Sequence, residues 1–355
     1  MAETTIPPAV AAPPGNGVLP VGPEPAALRR GRSTPARTVA LYALTLWAVA
    51  TVVFLLPRLL PGDPLQALDQ PDSATFVYDP VVRAKVAAYY GLDKPLAAQY
   101  RSYLSGLAHG DLGWSISQNR PVSTLLAARL PWTLLLVGGA LAISSALGFV
   151  AGMAAAWRRG GVVDRSLIVA LSAAQAVPEY AMASLLLVCF AVLVPVFPQA
   201  GASTAFAHYP TPFDAVGDVL RHLALPLAAL SLGLVANQFL IVRAAAVSTL
   251  GQDYMVLARA KGLPRRLLEY RHSGRNTLLP FLTSVGAQAG LAVGPSLFVE
   301  VVFAYPGMGS LLSGAVTARD YPVLQGGFLG LAVVVLAVNL AMDLAYSRLD
   351  PRVGQ

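Results

Sequence analysis

Residues 253–263 read DYMVLARAKGL and lie between two long apolar runs of the chain. The segment and the residues that follow it carry a dense set of cations: Arg259, Lys261, Arg265, Arg266, Arg271 and Arg275. A short basic loop between membrane-length apolar runs is typical of the cytoplasmic face. Small side chains at Ala258, Ala260 and Gly262 leave a surface that another protein can approach closely. The segment therefore predicts a cytoplasmic loop to which a soluble partner docks.

The composition is that of a membrane protein. Of the 355 residues, 55% are hydrophobic and only 12% are charged, whereas soluble domains carry about 25% charged residues. The net charge of +7 comes from cations clustered at the ends of apolar runs, so it indicates membrane topology and argues against nucleic acid as a partner. The single cysteine, Cys189, excludes an intrachain disulfide and argues against a cysteine-based metal cluster.

Apolar runs of membrane length predict an all-α integral membrane protein with six transmembrane helices, because about 20 residues cross the hydrocarbon core. The spans are expected at 39–57, 132–156, 167–197, 223–249, 280–303 and 324–346. The third run is long enough to be tilted or broken, and Pro178 is its natural break point. The expected N-terminal parts are a disordered cytoplasmic tail (1–38), the first transmembrane helix (39–57) and an extracytoplasmic insert (58–130). The insert is expected to contain amphipathic helices at 81–90 and 96–108. A five-helix core (131–347), which contains the cytoplasmic segment 250–279, and a cytoplasmic C-terminus (348–355) are expected to follow.

The arginines of the short loops predict the orientation. Arg158, Arg159 and Arg165 lie between spans two and three, and Arg348 and Arg352 follow span six. The loops on the other side offer only Arg221 and Arg319. Because basic residues accumulate in cytoplasmic loops, we expect both termini on the cytoplasmic side of a bacterial inner membrane.

Glycines at four-residue spacing predict close contacts between helices. They occur at Gly148 and Gly152 in span two, and at Gly286, Gly290 and Gly294 in span five. In lipid, helices associate where small residues let their backbones approach. We therefore interpret the triple repeat as a packing face.

The sequence contains no nucleophile–base set, no metal-ligand spacing and no phosphate loop. His208 and His222 share an external loop, but ordinary solvated histidines explain them better than a metal contact does. We therefore expect a chain that binds no cofactor or metal and catalyses no covalent reaction.

Charged and amide side chains inside apolar runs are costly, which makes them candidates for a polar path or gate. The candidates are Glu179, Asn237, Gln288 and Glu300; the amides, with Asn339, have cross-helix bonding as their alternative. For Arg243 and Asp343, near the inner ends of spans four and six, snorkelling or a structural ion pair is the favoured interpretation.

The cytoplasmic segment also resembles a known one. Asp253-Tyr254, residues 258–263, His272, Arg275-Asn276 and Leu279-Pro280 look like the coupling segment of type I ABC-importer permeases, in the form carried by the dipeptide/oligopeptide permease family. The similarity runs from about residue 38 to the end of the chain. Further motifs that match are Pro61-Gly62-Asp63-Pro64, Gly91-Leu92-Asp93-Lys94-Pro95, Gln99-Tyr100, Gly110-Asp111-Leu112-Gly113, Glu300 with Phe303, Pro306-Gly307-Met308-Gly309, Arg319-Asp320-Tyr321-Pro322 and Asp350-Pro351-Arg352.

The resemblance implies partners that do the work of energy conversion. Such permeases pair with a second homologous permease, receive substrate from an extracytoplasmic binding protein and rest on two cytoplasmic ATPases that use ATP and Mg. By this resemblance, the coupling residues are Asp253, Tyr254, Ala258, Arg259, Ala260, Lys261 and Gly262. The external insert and the loop at 304–322 would meet the binding protein. The implied fold is the type I ABC importer permease fold, and the implied cargo is a di- or oligopeptide.

One departure from the family pattern bears on the cargo. The family usually shows phenylalanine two residues after the proline at position 178, whereas this chain has Pro178-Glu179-Tyr180. We hypothesise that Glu179 faces the cavity and contacts a substrate amine. Alternatives remain: the same importer class with a nickel complex, glutathione or an oligosaccharide as cargo, an ion-driven secondary transporter, or a membrane-embedded enzyme. No inverted pair of broken helices and no catalytic set favours the last two.

Overall fold

The computed structural model describes residues 35–59, 93–265 and 267–349. Within these ranges the regular structure is helical, apart from an isolated bridge between Trp114 and Pro121. The helices are α1 (Pro35–Leu59), α2 (Leu96–Ala108), α3 (Val122–Trp157), α4 (Val162–Gln175), α5 (Glu179–Leu187), α6 (Pro212–Leu250), α7 (Asp253–Ala260), α8 (Gly274–Leu291), α9 (Val293–Val302), α10 (Met308–Ala318) and α11 (Tyr321–Leu349). Short π-helical segments cover Val188–Leu193 and Leu267–Ser273. The predictions for residues 1–34, 60–92 and 350–355, including the helix at 81–90, lie outside the described residues.

Three of the described helices are long and apolar enough to cross a membrane: α3, α6 and residues Tyr321–Met342 of α11. Two bent pairs pass the same test together, α4 with α5 at 95° and α8 with α9 at 53°, which gives up to five crossings. The apolar part of α1 is shorter, Val39–Leu55. The count of six spans therefore stays a prediction.

The predicted break in the third span is confirmed. Helix α4 ends at Gln175 and α5 begins at Glu179, with Pro178 as the residue that precedes its first turn. Proline disfavours helical geometry in the residue before it and lacks an N–H group to continue a helix. The sequence of this span thus produces a 95° bend.

Helices α3 and α6 form the centre of the bundle, and glycines set their distance. A Cβ atom placed on Gly148 would lie 2.6 Å from Cβ of Gln238, and one on Gly152 would lie 2.8 Å from Cβ of Val242. These distances are shorter than van der Waals contact, so any larger residue would push the helices apart. The pair at 148 and 152 is therefore a packing face of the kind expected in lipid.

The triple glycine repeat packs only in part. Gly290 lies against α11, where an added Cβ would be 3.0 Å from Oδ1 of Asn339. Gly294 has open space around the same position. The prediction of one face through Gly294 is wrong because α8 ends at Leu291, and the bend before α9 separates Gly294 from the other glycines.

The segment expected as an external loop at 304–322 contains helix α10. Met308, Leu311, Leu312 and Ala315 are buried in the main hydrophobic core. Their spacing is that of one helical face, so the sequence contains a helix signal within the segment that is predicted as a loop. Likewise α3 begins at Val122, well before residue 132, because the turns at its start also bury apolar side chains.

Helix α2 forms over the predicted residues 96–108 and packs against the end of α1. The Phe54 ring meets the rings of Tyr100 and Tyr103 at centroid distances of 5.1 and 5.4 Å. The hydroxyl groups of Thr51 and Tyr100 lie 2.7 Å apart. The described part of the insert is thus attached to α1 by aromatic packing.

Candidate functional site

The basic segment at 253–263 folds into helix α7 and a tight turn that ends it. The N–H of Leu263 donates to the carbonyl of Ala258 at 3.4 Å, and the N–H of Gly262 donates to the carbonyl of Arg259 at 2.9 Å. These two bonds form a Schellman motif, a common helix ending. Gly262 has φ of +69°, in the left-handed region that favours glycine. Because nothing lies within 4 Å of an added Cβ, the backbone conformation and not a lack of space requires this glycine.

Helix α7 rests on a small hydrophobic cluster of its own. Met255 is fully buried and Ala258 is 7% exposed, and both pack with Leu268. Trp157 at the end of α3 is among the residues that support this cluster. The expectation that Ala258 lies on the accessible surface is therefore wrong, since its small side chain fits the packing within this chain.

The rest of α7 is exposed and unusually apolar for a short helix with cationic neighbours. Tyr254, Val256 and Leu257 are 41%, 59% and 57% exposed. Besides Tyr254, the predicted coupling residues that are exposed are Asp253, Arg259, Ala260, Lys261 and Gly262. The ion pairs found in the described part of the chain use neither Arg259 nor Lys261. An apolar surface with free cations at its end is suited to a partner with an apolar groove and an acidic rim.

Two polar contacts fix α7 relative to its neighbours. Nδ2 of Asn276 donates to the Tyr254 hydroxyl at 2.6 Å, which links α7 to the first turn of α8. The Arg265 guanidinium lies over the Trp157 ring at 5.7 Å from its centroid, within the range of a cation–π contact. Tyr254 thus connects α7 to α8, and Arg265, after the turn that ends α7, contacts the end of α3.

Glu179 and Asn237 lie on the contact between α5 and α6. The Glu179 carboxylate packs over Gly233, where an added Cβ would be 3.2 Å from its Oε1 atom. Asn237 lies one turn after Gly233 on α6. The side chains of Glu179 and Asn237 are both partly exposed. Glu179, beside the bend at Pro178, therefore contacts the stretch of α6 that also carries Asn237.

Gln288 bonds across helices. Its Oε1 accepts a hydrogen bond of 2.9 Å from Nε2 of Gln238, and both side chains are buried. Gln238, which lies on the α6 surface that meets Gly148, was not predicted as its partner. In this conformation Gln288 links α6 to α8, which was the structural alternative for this residue.

Glu300 is enclosed between α9 and the start of α10. Its side chain is fully buried, and Oε2 accepts a hydrogen bond from the N–H of Gly309 in the first turn of α10. The carboxylate also lies directly against Gly307, which leaves no room for a side chain there. A carboxylate at a helix N-terminus satisfies an otherwise unpaired N–H group and interacts favourably with the helix dipole. In this conformation Glu300 therefore makes a buried helix contact, and its role in a path or gate stays a prediction.

Arg243 makes a structural ion pair, as favoured from the sequence. Its Nε and a terminal nitrogen lie 2.6 and 2.9 Å from the two carboxylate oxygens of Asp164. Asp164 is 2% exposed and accepts a further bond from the N–H of Gly160. The pair holds the first turn of α4 against α6. Asp343 lies in α11, but its side chain is outside the described residues.

Asp320 organises the opposite end of the bundle, a structural role that its sequence motif does not predict. The buried carboxylate accepts hydrogen bonds from the Ser115 hydroxyl at 2.6 Å and from the Ser117 hydroxyl and N–H at 2.7 and 2.9 Å. Its other oxygen accepts from the N–H of Val323, which caps the start of α11. The loop before α3 is thereby joined to α11.

These features define a class: a helical membrane protein whose transmembrane bundle presents one firmly held, exposed helix at its basic end, as a permease driven by soluble subunits requires. Residues 148–355 match the family model described as "Binding-protein-dependent transport system inner membrane component". The chain therefore belongs to the permease subunits of binding-protein-dependent ABC importers, with the type I fold, as its motifs indicated.

Relatives of known annotation agree with this membership. The chain is 39% identical over 310 residues to a putative peptide permease protein of Brucella suis, covering 87% of this chain and 94% of that protein. It is 33% identical over 334 residues to the di/tripeptide transport system permease protein DppB of Pseudomonas aeruginosa, covering 90% and 97%. It is also 34% identical over 310 residues to the glutathione transport system permease protein GsiC of Escherichia coli, covering 87% and 94%.

Proposed function

We propose that this permease subunit moves di- or oligopeptides across the cytoplasmic membrane and that separate ATPase subunits drive it through α7. The names of the Brucella and Pseudomonas relatives support the peptide cargo. The exposed apolar surface of α7, held on a buried base, is the observation that carries the coupling role. The glutathione permease relative supports a second candidate cargo, glutathione, which is itself a small peptide-like solute.

The proposed coupling uses Tyr254, Val256, Leu257 and Ala260 as the surface that enters a groove of an ATPase subunit, with Arg259 and Lys261 against acidic residues at its rim. Because Met255 and Ala258 pack in one cluster with Trp157 at the end of α3 and Leu250 at the end of α6, a displacement of the groove moves those helix ends with it. Closure of the ATPases would then rotate the permeases between inward-open and outward-open states, a rigid-body change.

The complete importer in this proposal contains a second homologous permease, two ATPases and an extracytoplasmic binding protein. This chain binds neither ATP nor Mg, which belong to the ATPase subunits. Both termini and α7 are cytoplasmic, and α2 and the loop that contains α10 face the binding protein. Glu179 and Asn237 remain the proposed path residues, with Glu179 as a contact for a substrate amine.

The coupling proposal is tested with Ala260→Asp in the assembled transporter. A carboxylate on the exposed surface of α7 repels an acidic rim and must be desolvated in a groove, so we expect ATP turnover stimulated by the loaded binding protein to fall at least about tenfold, equivalent to about 1.4 kcal/mol. The matched control is Ala207→Asp, the same exchange at an exposed position of the loop before α6, outside the surfaces proposed for the ATPases and the binding protein. Normal stimulation of the Ala260 variant in liposomes, with both variants inserted equally well, would remove α7 from the coupling role.

The cargo is tested separately by the ligands of the binding protein. We expect dipeptides and short oligopeptides to stimulate ATP turnover of the purified assembly. Stimulation by glutathione alone would select the second candidate and leave the coupling proposal intact.

A further inference from the structure

A cavity of about 390 Å³ with a mixed polar and apolar lining lies at the end of the bundle opposite α7. It is bounded by the last turn of α1, one face of α2, the loop at 111–116 and the start of α11. Its lining carries two cations, Arg58 and Lys94, and one carboxylate, Asp111. Asp111 already accepts a hydrogen bond of 2.8 Å from the N–H of Gly113. The charge of the lining therefore favours an anion.

Two buried polar atoms of the lining lack a hydrogen-bond partner among the residues that the structure describes. Gln325 on α11 is 8% exposed, and its Nε2 atom is unpaired. The Tyr103 hydroxyl on α2 is buried and unpaired as well. Burial and the neighbouring Tyr100 raise the pKa of Tyr103 to about 12, so the hydroxyl keeps its proton and can donate. Native proteins rarely leave such groups unsatisfied, which points to a ligand with acceptor atoms.

Arg58 is positioned to complete this set of donors. Its guanidinium lies over the Phe54 ring at 3.6 Å from the centroid. It makes three hydrogen bonds, two to Oε1 of Gln99 at 3.2 and 3.0 Å and one to the carbonyl of Phe54 at 2.7 Å. A guanidinium has five N–H groups, so two stay available among the described residues. A planar cation with spare N–H groups is well suited to a carboxylate or a phosphate.

We propose that this cavity is a binding site for a single oxyanion, a carboxylate or a phosphate group, held by Arg58, Tyr103 and Gln325 with Lys94 at the rim. The oxyanion belongs either to a free solute or to the headgroup of a membrane lipid, because Arg58 lies in the last turn of α1, directly after its apolar part. The site is separate from α7 and from the Glu179–Asn237 region, so it does not depend on the proposed function.

The test measures binding of inorganic phosphate and of acetate to the purified, delipidated chain by calorimetry and by thermal unfolding. We expect saturable binding that raises the unfolding temperature, and a dissociation constant at least about tenfold larger in Arg58→Gln, because a charge-assisted hydrogen bond is lost. Arg101→Gln removes the same charge from an exposed position of α2 outside the cavity and should bind like the unmodified chain.

Tyr103→Phe is a second variant that distinguishes loss of binding from loss of folding in Arg58→Gln. It removes only the unpaired hydroxyl, so the protein without probe should be at least as stable as the unmodified chain, while affinity for the probe falls severalfold. An unchanged affinity in Tyr103→Phe and Arg58→Gln would overturn the site.

Native mass spectrometry of the chain before delipidation identifies the source of the oxyanion. A phospholipid retained by the unmodified chain and by Arg101→Gln, but not by Arg58→Gln, would assign the site to a lipid headgroup. Binding of phosphate or acetate without such a retained lipid would assign it to a free solute. Absence of both a retained lipid and probe binding would refute the proposal.

Discussion

Gly262 and Ala258 are both small residues of the basic segment at 253–263, but the structure requires their size for different reasons. Ala258 fills a tight place against Leu268, whereas Gly262 adopts φ of +69° in open space. A sequence pattern shows only that both residues are small. The backbone conformation and the packing partner, which distinguish them, become visible only in the folded segment.

The requirement at Gly262 is tested by comparing Gly262→Ala with Gly262→Asn. A left-handed conformation costs an alanine about 1 kcal/mol, and asparagine tolerates it better. If the backbone sets the requirement, the Asn variant should retain more stimulated ATP turnover than the Ala variant. If small size for a partner sets it, the order should reverse, because asparagine is the larger residue. Both variants are measured in the same assembled transporter.

Glu300 allows a second test at the residue scale, because a gate and a helix contact respond differently to Glu300→Gln. The amide keeps an acceptor for the N–H of Gly309, so we expect uptake to stay within about threefold of the unmodified protein, or about 0.7 kcal/mol. Glu300→Ala leaves that N–H buried and unpaired, and should lower the free energy of unfolding by about 2 kcal/mol. A large loss of uptake in Glu300→Gln, with normal thermal stability, would restore the path interpretation.

Among the helices, the sequence predicts best where one physical rule decides. Pro178 lacks the N–H that would continue α4, and the predicted break is found there, although Pro226 lies inside the unbroken helix α6. The sequence does not predict α10, although Met308, Leu311, Leu312 and Ala315 have helical spacing. The helix has only 11 residues, and Pro306 and Gly307, which are typical of turns, directly precede it. The triple glycine repeat does not continue as one face through Gly294, because Pro295 has no N–H to donate to the carbonyl of Leu291, the last residue of α8. Periodicity thus predicts a helix more safely than it predicts how far a straight helix continues.

For the whole molecule, the sequence predicts the class and the cytoplasmic segment, but not the contacts between distant segments. Ser115 and Asp320 are 205 positions apart, and Gln238 and Gln288 are 50 apart. Each of these polar residues has many possible partners until the bundle brings two of them together. The same limitation explains the cavity at Arg58, whose lining comes from four separate parts of the chain.

The orientation of the bundle is the property on which the coupling role depends, and α6 makes it testable. Its 39 residues extend about 58 Å, so the loop that precedes Pro212 and the segment that follows Leu250 lie at opposite ends of one membrane-length helix. Ala205→Cys and Arg271→Cys place thiols in exposed positions at those two ends. In a Cys189→Ser background, which serves as the unlabelled control, we expect a membrane-impermeant maleimide to label the Ala205 variant in intact cells. It should label the Arg271 variant only after the membrane is opened. Labelling of the Arg271 variant in intact cells would place α7 outside the cell, where no ATPase subunit could reach it.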